Sequence, residues 1–147
     1  MKTKPIPDGF HTVTPYLVIK GAAQLIEFMK KAFDAKQIYV SNRPDGTIMH
    51  ATMQVGDSMV MLAEATEQHQ LLPAMLYLYV PDTDAVYKKA MAAGATSIME
   101  PADQFYGDRN AGVKDATGTQ WWIGTHTEDV SEEELKKRQE KLLIKAQ

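Results

Sequence analysis

PYLVIKGAAQLIEFMKKAFDA, Pro15 to Ala35, decides the fold. It reads as a strand running straight into an amphipathic helix. The chain then says it again in LYLYVPDTDAVYKKAMAAGAT, Leu76 to Thr96. Leu17 aligns with Leu78, Ile19 with Val80, Leu25 with Val86, Met29 with Ala90 and Ala32 with Ala93, every pair 61 positions apart. A constant offset over a whole strand and helix marks two copies of one supersecondary unit; two copies are too few for a solenoid. The reading is a duplicated module within one domain.

Around the first copy, Met1 to Gly9 carries two prolines and a glycine and reads as an extended arm. Val13 to Ile19 is the first strand. Its helix places Ala22, Leu25, Ile26, Met29 and Phe33 on one apolar stripe. Gln37 to Ser41 is a second strand, and Arg43-Pro44-Asp45-Gly46 turns it into a third, Thr47 to Val55. Gly56-Asp57-Ser58 makes a hairpin with the fourth, Met59 to Ala63. Module 1, about 10–64, is therefore β-α-β-β-β.

After a polar linker, 65–73, module 2 (about 74–128) repeats that order. Met75 to Val80 is a strand. Asp82 or Thr83 caps the next helix and Gly94 ends it. Ser97 to Glu100 is a strand, and Gln104 to Ala111 reads as a loop entering a short strand, Gly112 to Lys114. Asp115-Ala116-Thr117-Gly118 turns into the last strand, Thr119 to Thr125. A C-terminal helix, 131–145, starts at a capping box formed by Ser131 and Glu134. The fold class is α+β: two tandem βαβββ modules plus a C-terminal helix.

Composition narrows the function. Hydrophobic content of 44% and charged content of 24% are those of a soluble globular domain. A net charge of -3 offers no basic field for nucleic acid or an anionic membrane. With no cysteine, disulfides, thiolate nucleophiles and Cys-based metal sites are excluded. MKTKPIPDG has no apolar run after its lysines, and no stretch approaches the roughly 18 apolar residues of a membrane span. The expectation is a cytoplasmic protein.

The tandem βαβββ order, with TPYLVIKGAAQLIEF, MHATMQVGDSMVML and YGDRNAGVKDATGTQWWI, resembles the vicinal oxygen chelate superfamily, which includes glyoxalase I, bleomycin-resistance proteins and extradiol dioxygenases. The finer likeness is to its PhnB-like branch. The resemblance covers roughly Thr12 to Asp129 and implies two half-barrels around a cup. It also implies metal ligands of His, Gln or Glu on the first and last strand of each module. Those positions fall here on Thr14, Met61, Met75 and Trp122. Thioether and indole groups do not hold a hard or borderline divalent ion, and a threonine hydroxyl is a poor substitute. Glu64 and His11, each three residues from one of these positions, are the substitutes a slipped alignment would offer. The expectation is no metal and no cofactor.

Strand alternation sorts what lines the cup. Leu17, Ile19, Leu78, Val80, Met53 and Val55 face the helices. Thr14, Tyr16, His50, Thr52, Gln54, Met61, Met75, Tyr77, Tyr79, Gln120 and Trp122 face inward. Tyr106 and Arg109 stand in a loop positioned to cover the cup, with Arg109 suited to a carboxylate or a ring face. Such a stripe is either plain core or a pocket for a flat organic ligand. His50 is either a structural histidine or a base. The first functional reading is a metal-free small-molecule binder, forming a homodimer. The alternatives are a metal-dependent lyase, isomerase or dioxygenase, and a metal-free enzyme using His50.

Overall fold

The computed structural model describes residues 3–146. Its elements are β1 (Tyr16–Ile19), α1 (Ala22–Phe33), β2 (Lys36–Asn42), β3 (Ile48–Val55), β4 (Ser58–Glu64), β5 (Met75–Tyr79), α2 (Thr83–Ala92), β6 (Thr96–Asp103), β7 (Asp108–Lys114), β8 (Gln120–His126) and α3 (Glu132–Lys145). The expected β-α-β-β-β order appears twice, followed by the C-terminal helix. Each module folds into a four-stranded sheet, β1-β4-β3-β2 and β5-β8-β7-β6. The first strand of each pairs parallel with the last, and the other neighbours are antiparallel. The repeat holds in register: Tyr16 stands opposite Met61, and Tyr77 opposite Trp122.

One core serves both modules. Leu25, Ile26, Met29 and Ala32 of α1 bury the stripe read from the sequence, together with Leu17, Ile19, Met53, Val60 and Leu62 of their own sheet. Trp121, Ile123 and Val113 join that cluster from the second sheet. Phe33 of α1 packs against Trp121 with the rings tilted by 50° and their centroids 4.9 Å apart. Both helices therefore pack on the faces that the sheets turn toward this core, and the opposite, concave faces turn away from it.

Three features depart from the sequence reading. β1 starts at Tyr16 rather than Val13, so Thr14 precedes the strand and its hydroxyl donates to the His11 carbonyl. β6 continues past Glu100 through Pro101 to Asp103. It can do so because it is an edge strand, where a missing N–H is tolerated, and its pairing slips register between Ser97 and Ala102. β7 begins at Asp108, inside the segment expected as a loop. The polar run DRN reads as loop only until its partners are known, and each of its side chains finds them across the fold.

The caps are divided between local and distant groups. Asp82 accepts from the Ala85 N–H at the start of α2, and Ser131 from the Glu134 N–H at the start of α3. Gly21 at the start of α1 has no side chain to offer. The Glu64 carboxylate, from the end of β4, accepts from the Gly21 and Ala22 N–H groups instead. A carboxylate there also complements the positive end of the helix dipole. Among the described residues no helix is long and apolar enough to cross a membrane.

Candidate functional site

The concave face of module 2 carries a polar network on an aromatic floor. Asp108, only 4% exposed, accepts on one oxygen from the hydroxyls of Tyr77 (2.8 Å) and Tyr79 (2.9 Å). Its other oxygen pairs with His126 Nδ1 at 3.1 Å, and His126 Nε2 meets Asp129 at 2.7 Å. Burial raises the Asp108 pKa, but the hydrogen bonds from His126, Tyr77 and Tyr79 prevail and hold it below the ordinary value. Burial pushes the Tyr77 hydroxyl well up, the hydrogen bond to Asp108 raises Tyr79, and both phenols stay protonated. Asn110 Nδ2 donates to the oxygens of Tyr77 (3.1 Å) and Tyr106 (2.5 Å). The Tyr77 and Tyr79 rings lie 5.1 Å apart.

Two glycines make room for the rings. A Cβ on Gly112 would stand 2.9 Å from the Trp122 ring, and one on Gly124 2.3 Å from the Tyr77 hydroxyl. Trp122 and Tyr77 therefore lie close over the backbone of β7 and β8, where any other residue would lift them.

The concave face of module 1 is simpler. His50 stands between Tyr16, whose hydroxyl meets Nδ1 at 3.0 Å, and Thr52, whose hydroxyl meets Nε2 at 3.2 Å. The Tyr39 ring lies 6.2 Å away. Met61 stands opposite both Tyr16 and Thr52. Gln54, at the end of β3, donates to the Gly56 carbonyl. The Tyr16–His50 contact answers to the Tyr77–Asn110 contact of module 2.

The inward-facing residues thus fall into two groups. Every hydrogen bond they make among the described residues stays within its own module. Each half-cup is open: Tyr16 is 47% exposed, Met75 63% and Tyr79 67%. A groove of about 770 Å³ between the modules touches this set at Tyr77 and Tyr79, but His11, Val13, Phe33, Val55 and Leu76 also line it, so it is the seam of the two modules rather than the concave face.

Two expectations are corrected. Arg109 is not in a covering loop. It lies on β7 with its guanidinium on the helix side, held by both oxygens of Asp84 (2.9 and 3.1 Å) and by Asp103 (3.2 Å). Alternation along β7 turns Asp108 and Asn110 inward and Arg109 outward. Thr14, ahead of β1, is tied to the His11 carbonyl in the segment that leads into the strand. Tyr106 does sit in the β6–β7 turn, and its hydroxyl reaches Asn110.

Residues 9–123 match the Glyoxalase/Bleomycin resistance protein/Dioxygenase superfamily. The chain belongs to that superfamily. An uncharacterized protein of Mycobacterium bovis is 34% identical over 134 residues, 84% of this chain and 88% of its own. Among solved structures, TioX from Micromonospora sp. ML1 superposes with a TM-score of 0.68 at 21% identity, over 79% of this chain and 98% of that one. A PhnB protein from Bacillus cereus does so with a TM-score of 0.63 at 20% identity, over 78% and 99%.

The donor set of this glyoxalase-superfamily chain does not fit a metal at the superfamily's ligand positions. Thr14 is bound to His11, Met61 and Met75 offer thioethers, and the Trp122 indole donates to Gln120. The substitutes are engaged elsewhere: Glu64 caps α1, and His11 Nε2 meets the Asp57 carbonyl. Among the described residues no three His, Cys, Asp or Glu side chains gather as a metal would need.

The sequence reading missed Asp108, Asn110 and His126 as parts of the concave face. The signal was present in the alternation of D-x-N along 108–110, masked by their resemblance to a loop.

Proposed function

We propose that this chain is a cytoplasmic small-molecule binder that takes a flat, aromatic or apolar organic molecule in a metal-free cup, and that a second copy of the chain completes the cup. The observation that carries the reading is the pair of open half-cups, one on the face of each sheet opposite the shared core. Each combines rings and thioethers with a few fixed polar groups, the composition of an organic-ligand pocket. Neither closes within one chain. Exposed apolar faces of this kind are characteristic of interaction sites. Module 1 of one copy facing module 2 of another would enclose both faces at once and give a symmetric dimer two equivalent cups.

Protein purified without chelator, assayed for metal content and screened against a compound library by thermal shift, tests the reading. Ligands of the native state raise the melting temperature by mass action. Aromatic hits on metal-free protein are expected. A stoichiometric ion lost on mutating a concave-face residue would replace this reading with a metal-dependent lyase, isomerase or dioxygenase. A second reading, a metal-free enzyme with His50 as base, is favoured by the place of His50 on the module 1 face, where only hydroxyls hold its ring. Turnover of a library hit, abolished in His50→Ala with binding retained, would support it.

A further inference from the structure

The module 2 face has a definite hydrogen-bonding polarity. Because Asp108 is held ionised, the Tyr77 and Tyr79 hydroxyls both point their protons at it. Each phenol has one proton, so toward anything else these oxygens only accept. That fixes the Asn110 amide. It must present Nδ2 to the Tyr77 oxygen, since its own oxygen there would face a second acceptor. Nδ2 then uses both hydrogens, on Tyr77 and Tyr106. Asn110 Oδ1, on a residue 2% exposed, is left buried with no donor, the one such side-chain atom among the described residues. A buried acceptor without a donor is costly, and it adds uncompensated negative character to this face.

Charge and aromatic surface agree with that polarity. Donation to a carboxylate makes a phenol oxygen a stronger acceptor and its ring a richer face for a cation. The Tyr77–Tyr79 pair presents such rings beside the floor on which Trp122 lies. The Arg109 guanidinium is bound to Asp84 and Asp103 on the other side of the sheet, Arg138 is bound to Glu128 and Glu134, and His126 faces two carboxylates.

We propose that the module 2 face recognises a cationic nitrogen head with several N–H donors, an amidinium or ammonium, on a ligand whose flat body lies on Trp122. The head donates to the oxygen of the exposed Tyr79, beside the uncompensated Asn110 acceptor. This deepens the small-molecule reading above and rests on it.

Benzamidine, benzamide and benzoate share one ring and differ in the head, which makes them suitable probes. Titrated into the full-length protein, each is followed by the Trp122 indole N–H resonance, assigned with Trp122→Phe. Benzamidine is expected to shift it and to bind at least about tenfold more tightly than benzamide, the weight of one charge-assisted hydrogen bond. Benzoate should not compete. Tyr79→Phe, at an exposed position that tolerates the change, should weaken benzamidine roughly tenfold by removing the acceptor and leave benzamide within about twofold. Benzamide or benzoate binding as tightly as benzamidine would overturn the cation assignment and leave the small-molecule reading standing. No shift from any of the three would remove both.

Discussion

Trp121 and Trp122 are neighbours in the chain and opposites in role. Trp121 is fully buried, packed against the tilted Phe33 ring, with its Nε1 donating to Asp115 at 2.7 Å. Asp115 also accepts from the Thr117 N–H and hydroxyl, so the DATG turn and the core are tied by one carboxylate. Trp121→Ala should cost about 3–5 kcal/mol in denaturant unfolding, the range for large-to-small core changes. Trp122→Ala should cost far less, because its ring rests on an open face. Equal losses would mean that Trp122 is also core. His126 gives a pH prediction. Asp129 and then Asp108 raise its pKa above the ordinary 6.5. A raised folded pKa means the ion pairing stabilises fully below about pH 6.5 and is lost as pH rises through the folded value. Proton NMR should place the His126 midpoint above 6.5, and Asp129→Asn should bring it down. A midpoint at or below 6.5 in the parent chain would contradict the pairing.

Among the elements, α3 is the least committed. None of its residues is buried, and Arg138 anchors it, donating to Glu128 (2.7 and 3.0 Å), Glu134 (3.1 Å) and the Phe105 carbonyl (3.1 Å). Its N-terminus depends on the Ser131 hydroxyl. Ser131→Ala should weaken the helix by about 1 kcal/mol. Arg138→Ala should release it from the β6–β7 turn. Hydrogen exchange is the direct readout: α3 amides should exchange faster in both variants while β7 and β8 keep their protection, as for a locally opening unit. Faster exchange in β7 as well would mean that α3 supports the sheet. Glu64 plays the contrasting part, holding α1 to β4 from 43 residues away in sequence.

At the scale of the molecule, a cup shared between copies makes a prediction no single variant can test. Light scattering should give a dimer of the 16.4 kDa chain; a monomer at micromolar concentration removes the shared cup. His50→Ala alters only the module 1 face and Trp122→Ala only the module 2 face. Each homodimer would therefore carry one damaged half in every cup. A mixed dimer would carry one cup with both halves damaged and one with both intact. For a ligand whose binding each variant abolishes, mixing the unfolded variants and refolding them should restore about half of the sites in mixed dimers. No restoration would place both halves of the site in the same chain.

The sequence by itself determined the duplicated βαβββ order, the helix stripe, the strand faces and the opposite orientation of the two tryptophans. All of these follow from local periodicity, which two similar copies state twice. The superfamily likeness rested on those same stretches. Tertiary structure decided the rest. Arg109 reads as a binding residue until Asp84 and Asp103 are brought beside it, and Asp108 and Asn110 read as loop until Tyr77, Tyr79 and His126 converge on them. Glu64 reads as a displaced metal ligand until α1 presents its N–H groups. Periodicity fixes which face a side chain takes, but a polar group's role depends on its partners. Those partners lie 25 to 43 residues away in the chain for Arg109–Asp84, Asp108–Tyr77 and Glu64–Gly21, and only the packing of the sheets and helices brings them within hydrogen-bonding distance.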